Sequence, residues 1–185
     1  MVGAPFPGNQ FIILCGLSFA WKSTLARAIV SRFGFTEVDV DETKFQLYGS
    51  GIVDEELIPE DWIRIYAETD RLIENHLRSG RTVVDASRNF SIEERINARN
   101  ISARVGVPFT TIYVDTPESV ARRRLIANRA RPFRRDISDR DFEDVIRAMQ
   151  PPTVAETPLV FQHTAKVEKW ISDNAVVLAP QLRPK

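Results

Sequence analysis

An α/β fold built on a parallel sheet is what this sequence predicts, and three observations carry it. Short apolar runs alternate with segments of helical period along the whole chain. A phosphate-binding loop, Gly16-Leu-Ser-Phe-Ala-Trp-Lys-Ser-Thr24, joins the first such run to the first helix. Polar side chains suited to chemistry, Asp41 and Asp85 among them, fall where apolar runs end. Strands separated by helices imply βαβ units, and such sheets place ligands outside the carboxyl ends of the strands.

The elements follow in order. Gln10 to Cys15 is an apolar run fit for a buried strand, and Leu25, Ile29 and Phe33 mark a helix opening at Ser23. Phe35–Val40 reads as a second strand, with Asp39 and Asp41 bracketing its exit on one side. Residues Lys44 to Pro59, with Gly49 and Gly51, read as an irregular or partly helical cap. From Glu60 to Leu77 the apolar residues Trp62, Ile65, Tyr66, Leu72, Ile73 and Leu77 keep helical spacing until Gly80. Thr82–Asp85 is a third strand, and Ser91-Ile-Glu-Glu94 is a capping box that opens a helix ending near Gly106 and Pro108. Phe109–Val114 is a fourth strand, and Thr116-Pro117 starts a further helix. Another helix begins at Ser138 and stops at Pro151-Pro152; a last strand, Pro158–Phe161, precedes a helix around Lys166 to Asp173.

Composition bounds the function. At 185 residues the chain is expected to form one domain, 1–185, and 25 basic residues against 25 acidic ones give no global charge that calls for nucleic acid. The single cysteine, Cys15, excludes a disulfide scaffold and suggests a reducing, cytoplasmic setting. Neither a signal peptide nor a membrane-length apolar run is visible. His76 and His163 have no partner at metal-ligand spacing, which argues against zinc.

The loop is the most specific signal. Its backbone N–H groups curl round a phosphate at a helix N-terminus, Lys22 reaches the β- and γ-phosphates, and the Ser23 hydroxyl ligates Mg²⁺. Such a loop needs glycine where bare backbone meets phosphate oxygens. Gly16 satisfies that need, whereas Trp21 stands where G-x-x-x-x-G-K-[ST] has its second glycine. The indole either crowds the β-phosphate or points outward and leaves the backbone N–H in use; the sequence keeps both dispositions open.

Three groups outside the loop suit phosphoryl transfer. Asp41, with Asp39 beside it, is the candidate base toward a substrate hydroxyl, or else a helix cap. Asp85 ends the third strand and continues into Ala86-Ser-Arg-Asn89, where it offers a metal-water or substrate contact unless it only starts a turn. Arg88 either binds substrate or faces solvent. The arginines 122, 123, 124, 129, 131, 134 and 135 suit a lid spanning roughly 129–142, with Arg124 and Arg129 chosen as the phosphate-facing pair. Their alternative is a solvated face paired with Asp136, Asp139, Asp141, Glu143 and Asp144.

With these residues in view the chain resembles the small P-loop kinases: gluconate kinase, chloramphenicol phosphotransferase, the 5′-kinase domain of polynucleotide kinase and AAA-type ATP-binding proteins like them. The likeness rests on Gly16–Ala26, Val40-Asp41-Glu42, Val83–Asn89, and Arg122–Arg129 running on to Met149–Glu156. It implies a three-layer α/β/α P-loop NTPase fold with five parallel strands ordered 2-3-1-4-5. It also implies ATP with Mg²⁺ and transfer of the γ-phosphate to a hydroxyl. In that likeness Asp41 contacts or deprotonates the acceptor, and Arg124 and Arg129 clamp the nucleotide. Trp21 is the departure. A degenerate nucleotide-binding module without turnover and a polynucleotide 5′-hydroxyl kinase are the competing readings. No Asn-Lys-x-Asp occurs and no Asp-x-x-Gly follows the third strand, so ATP is expected over GTP. Without a basic stripe, a small-molecule acceptor is expected over nucleic acid.

Overall fold

The computed structural model describes residues 8–132 and 134–180; the N-terminal stretch through Pro7, Phe133 inside the expected lid, and Gln181–Lys185 lie outside the described residues. Five parallel strands form one sheet: β1 (Phe11–Cys15), β2 (Thr36–Val38), β3 (Val83–Asp85), β4 (Phe109–Asp115) and β5 (Leu159–Gln162), in the order β2-β3-β1-β4-β5. β1 pairs with β3 and β4 on its two sides, and every residue in it is fully buried. This is why its sequence is continuously apolar rather than alternating.

Helices cover both faces: α1 (Lys22–Phe33), α2 (Val40–Tyr48), α3 (Pro59–Arg78), α4 (Ile92–Val105), α5 (Glu118–Ala130), α6 (Asp139–Ala148), α7 (Val167–Asp173) and α8 (Ala175–Leu178). Ile12 and Leu14 join Val84, Ile112, Val114 and Phe161 in a core closed by Leu25, Ala26 and Ile29 of α1 and by Ile171 and Leu178. The alternate residues Phe11 and Ile13 join Val38 and Val83 against Ile73 and Leu77 of α3 and Ala98 and Ile101 of α4. One strand thus feeds two cores, and each fully buried large aliphatic side chain contributes roughly 1.5–3 kcal/mol. A third cluster, Phe19 with Ala121, Leu125 and Phe142, ties the phosphate loop to α5 and α6.

The sequence expectation fails at one boundary that matters for the site. The second strand, expected through Val40, stops at Val38, and Val40 opens α2. Asp39 is in extended conformation, and its Oδ1 accepts from the backbone N–H of Asp41 at 2.8 Å, so a cap ends the strand. Asp41 and Glu42 then occupy the first helical turn, where acidic side chains meet the positive end of the helix dipole. Strand alternation therefore does not orient Asp39 and Asp41. The expected irregular region from Lys44 to Pro59 holds the rest of α2 and a 3-10 turn at Asp54–Glu56.

Candidate active site

Gly16 leaves β1 with φ +146, and a Cβ there would lie 2.7 Å from the Val114 carbonyl oxygen, so the close approach to β4 admits only glycine. Phe19 (φ 60) and Trp21 (φ 78) both adopt the left-handed conformation, at a cost on the order of 1–3 kcal/mol for each such bulky residue. Packing over-determines both. Phe19 is buried in its cluster with the Arg134 guanidinium 4.5 Å from its ring centroid, and its carbonyl accepts from Arg124 Nη1 at 3.2 Å. The Ala20 carbonyl accepts from Thr116 Oγ1 at 3.3 Å. The Arg124 guanidinium lies 3.8 Å from the Trp21 ring centroid. Trp21 is 42% exposed and itself lines a cavity, and helix α1 begins on its carbonyl through Leu25 N–H.

That cavity, about 540 Å³, is lined at one end by Leu17, Ser18, Phe19, Ala20, Trp21, Lys22, Ser23 and Thr24. Lys22 is nearly buried; its Nζ donates to the carbonyls of Gly16 (2.7 Å) and Leu17 (3.1 Å) and sits 4.7 Å from the Phe90 ring centroid. Burial, aided by the nearby Arg134 charge, pushes its pKa down to about 8. An anion at the α1 N-terminus would offset both effects.

The other end is walled by α2, the 3-10 turn, α3 and the segment after β3. Asp41 is well exposed to the cavity, and its Oδ1 accepts from Lys44 Nζ at 2.8 Å. The same ammonium, on a side chain only 1% exposed, donates to Asp54 Oδ1 at 2.7 Å. Asp39 also lines the cavity, its carboxyl raised by burial above the ordinary aspartate range despite the hydrogen bond from Asp41 N–H. Trp62 and Tyr66, which helical spacing assigns to the core stripe of α3, face this cavity with ring centroids 5.8 Å apart.

Asp85 lies behind the cavity wall, next to the lining residues Ala86, Ser87 and Arg88. It is fully buried, away from the cavity lining: Oδ1 accepts from Ser87 N–H (3.0 Å) and Oγ (2.7 Å), while Oδ2 accepts from Asn89 Nδ2 (3.2 Å) and faces Arg88 Nε at 3.6 Å. These contacts tie the carboxylate to the strand exit, within electrostatic reach of Lys22. Arg88 does line the cavity; it pairs with Asp70 and lies over the Tyr66 ring at 5.5 Å. Among the described residues no group of three or more His, Cys, Asp or Glu is placed to hold a metal ion. The Ser23 hydroxyl, at the cavity beside Lys22, is the loop donor that fits Mg²⁺.

The arginines divide. Arg124 lines the cavity; Arg129 does not, because its guanidinium meets Asp136 (3.1 Å), Asp139 (2.9 Å) and the Ile137 carbonyl (3.0 Å). Arg122 pairs with Glu118 and Glu143 in the same surface manner. Arg134 and Arg135 take the inward positions instead. Arg134 is aimed by Asn128, a fully buried residue whose Nδ2 donates to the Arg134 carbonyl (3.2 Å) and whose Oδ1 accepts its N–H (3.1 Å). A polar residue at a core position of an arginine-rich helix is the signal that could have pointed to it.

With this geometry in place, the comparisons are specific. The sequence profile of the AAA domain family matches residues 11–152, and the chain belongs to that family. Its fold is that of the small P-loop kinases. An unliganded sugar kinase from Janibacter sp. HTCC2649 superposes with TM-score 0.66 at 14% identity, covering 96% of this chain and 99% of that one. A gluconokinase from Sinorhizobium meliloti 1021 gives 0.63 at 15% identity over 95% and 93%. The Mycobacterium tuberculosis APS kinase in complex with AMPPNP and APS gives 0.63 at 19% identity over 93% and 98%. No curated protein matches by sequence.

Proposed function

We propose that this chain is an ATP-dependent phosphotransferase that moves the γ-phosphate to a hydroxyl of a small molecule. The observation that carries the reading is a single cavity with a phosphate loop at one end and a carboxylate, Asp41, held on a buried lysine at the other. Kinase folds among the similar structures agree with it.

Lys22 leaves the Gly16 and Leu17 carbonyls for the β- and γ-phosphates, while backbone N–H groups at the start of α1 receive their oxygens. Mg²⁺, held on the Ser23 hydroxyl, would shield phosphate charge. Arg124 and Arg134 neutralise charge on the transferring group. Asp41 accepts the acceptor's hydroxyl proton; the acceptor oxygen bonds to the γ-phosphorus, the bond to the β–γ bridging oxygen breaks, and ADP leaves.

One observation favours a second reading, nucleotide binding without turnover: Trp21 replaces a glycine at a strained position of the loop. Calorimetric titration with Mg-ATP, run on the natural chain and on Trp21→Gly, separates the two. Binding by both, with ADP formed in the presence of an acceptor, supports the phosphotransferase. Binding by the glycine variant alone identifies a disabled loop, and no heat from either removes both readings.

A further inference from the structure

Trp21 holds a backbone position that glycine would take without strain: it stands immediately before α1 at φ 78 and ψ 22, in the left-handed region. Strained residues of this kind cluster where the strain serves a site. We propose that Trp21 is a positioning residue, whose indole holds the Arg124 guanidinium on the phosphate loop so that its charge and remaining N–H donors meet the phosphates of a bound nucleotide. The proposal rests on the phosphotransferase reading only for the identity of that ligand.

Arg124 reaches the loop from α5 and is tied to it twice. Its guanidinium lies 3.8 Å from the Trp21 ring centroid, and its Nη1 donates to the Phe19 carbonyl at 3.2 Å. Indole is the best of the aromatic faces for a cation, and a guanidinium is the cation that stacks on it. The backbones on both sides of the contact are fixed to each other, since Ala121 and Leu125 of α5 share a buried cluster with Phe19. A long side chain with many rotamers is thereby ordered within the protein itself, which is how a preorganised donor gains affinity.

The means of holding decides what the arginine can do. Arg122 is held by Glu118 and Glu143, and Arg129 by Asp136 and Asp139, so their charges are matched and their donors spent on protein oxygens. Among the described residues Arg124 forms no ion pair, and the Phe19 carbonyl takes one of its N–H groups. An aromatic face restrains a guanidinium and leaves its charge unneutralised. Burial, then the nearby Arg123 charge, lowers the Arg124 pKa from the ordinary guanidinium value, and an anion beside it offsets both. Arg124 and Trp21 line the same cavity as Lys22, Ser23 and Thr24, so the guanidinium belongs to one site with the helix N-terminus that attracts phosphate.

The test is a double-substitution cycle on the full chain: calorimetric titration with Mg-ATP, at fixed salt, of the natural protein, Trp21→Gly, Trp21→Phe, Arg124→Ala and the Trp21→Gly, Arg124→Ala pair. Trp21→Gly is expected to weaken Mg-ATP roughly tenfold, the scale of one lost contact, although it relieves the backbone. Trp21→Phe keeps affinity within about threefold, because a smaller aromatic face still carries the guanidinium. Arg124→Ala weakens Mg-ATP at least as much as Trp21→Gly, and adding Trp21→Gly to it costs less than about twofold more. Tryptophan emission supplies a signature independent of ligand: Arg124→Ala shifts the emission of the natural chain and leaves that of Trp21→Gly unchanged. Equal or tighter binding by Trp21→Gly, a loss with Trp21→Phe as large as with glycine, a tenfold loss that persists in the Arg124→Ala background, an emission change that survives in Trp21→Gly, or no Mg-ATP binding by the natural chain overturns the proposal. ADP release is assayed separately, against water and a panel of polyols and nucleosides. Binding without release sinks the phosphotransferase reading and leaves the cycle to decide this one.

Discussion

The phosphate loop and the segment that follows α5 both line the cavity and are held by opposite means. Loop residues are fixed from behind: Gly16 against the β4 backbone, Phe19 in a buried cluster, and the Ala20 carbonyl under Thr116. Arg131, Pro132 and Arg134–Asp136 are exposed, and the stretch from Arg134 to Ser138 is stapled by the surface ion pairs of Arg129 and by the two hydrogen bonds of Asn128. Exposed ion pairs contribute about 0–1 kcal/mol each. The difference teaches that the loop is braced by burial, whereas the stretch after α5 rests on contacts of about 1 kcal/mol each and is inexpensive to displace.

The largest expected effect concerns chemistry. Asp41→Asn lowers kcat by about 10²–10⁴-fold with Mg-ATP affinity intact, the range for a lost general base; unchanged turnover would reduce Asp41 to a first-turn helix residue. Next, Gly16→Ala attacks the loop: strained backbone plus a collision with the Val114 carbonyl costs about 2–4 kcal/mol in chemical denaturation. A milder loss would show that β4 can yield and that the loop is softer than its geometry.

The third prediction uses pH. Below about pH 8 Lys22 is already protonated in the free protein, so Mg-ATP affinity stays level. Above it, binding must take up a proton, and Kd rises by about tenfold per unit. A flat profile to pH 10 would mean that Lys22 does not meet the phosphates. The smallest effect belongs to the stretch after α5: Arg129→Ala changes stability by less than about 1 kcal/mol. A larger loss would erase the contrast between the two regions.

What the sequence carried was the frame: five strands, their helices and the phosphate loop, because continuous apolar runs and a 3.6-residue period survive without tertiary information. Val40 misled because a β-branched residue after an aspartate reads as strand, and only the Asp39 cap shows that the helix has begun. Trp62 and Tyr66 sat on a helical stripe that periodicity cannot divide into core and cavity wall. Arg134 follows Pro132, where no periodicity runs, and only the buried Asn128 shows that its backbone is held beside the cavity. Lys44 and Asp54 lay in a stretch with no pattern at all, and their pairing is a product of chain reversal.

The three tryptophans give the molecule an optical consequence. Trp170 is pinned, its Nε1 donating to the Val160 carbonyl at 2.8 Å and its ring edge-on to Phe161, so its emission is a steady background. Trp21 sits against the Arg124 guanidinium and Trp62 beside Tyr66, both on the lining of the one cavity. With Trp62 replaced by phenylalanine, emission changes report the surroundings of Trp21; with Trp21 replaced, they report those of Trp62. The residue that interrupts the glycine pattern is thus a fluorophore on the cavity lining, where the arrival of a ligand can be read in real time.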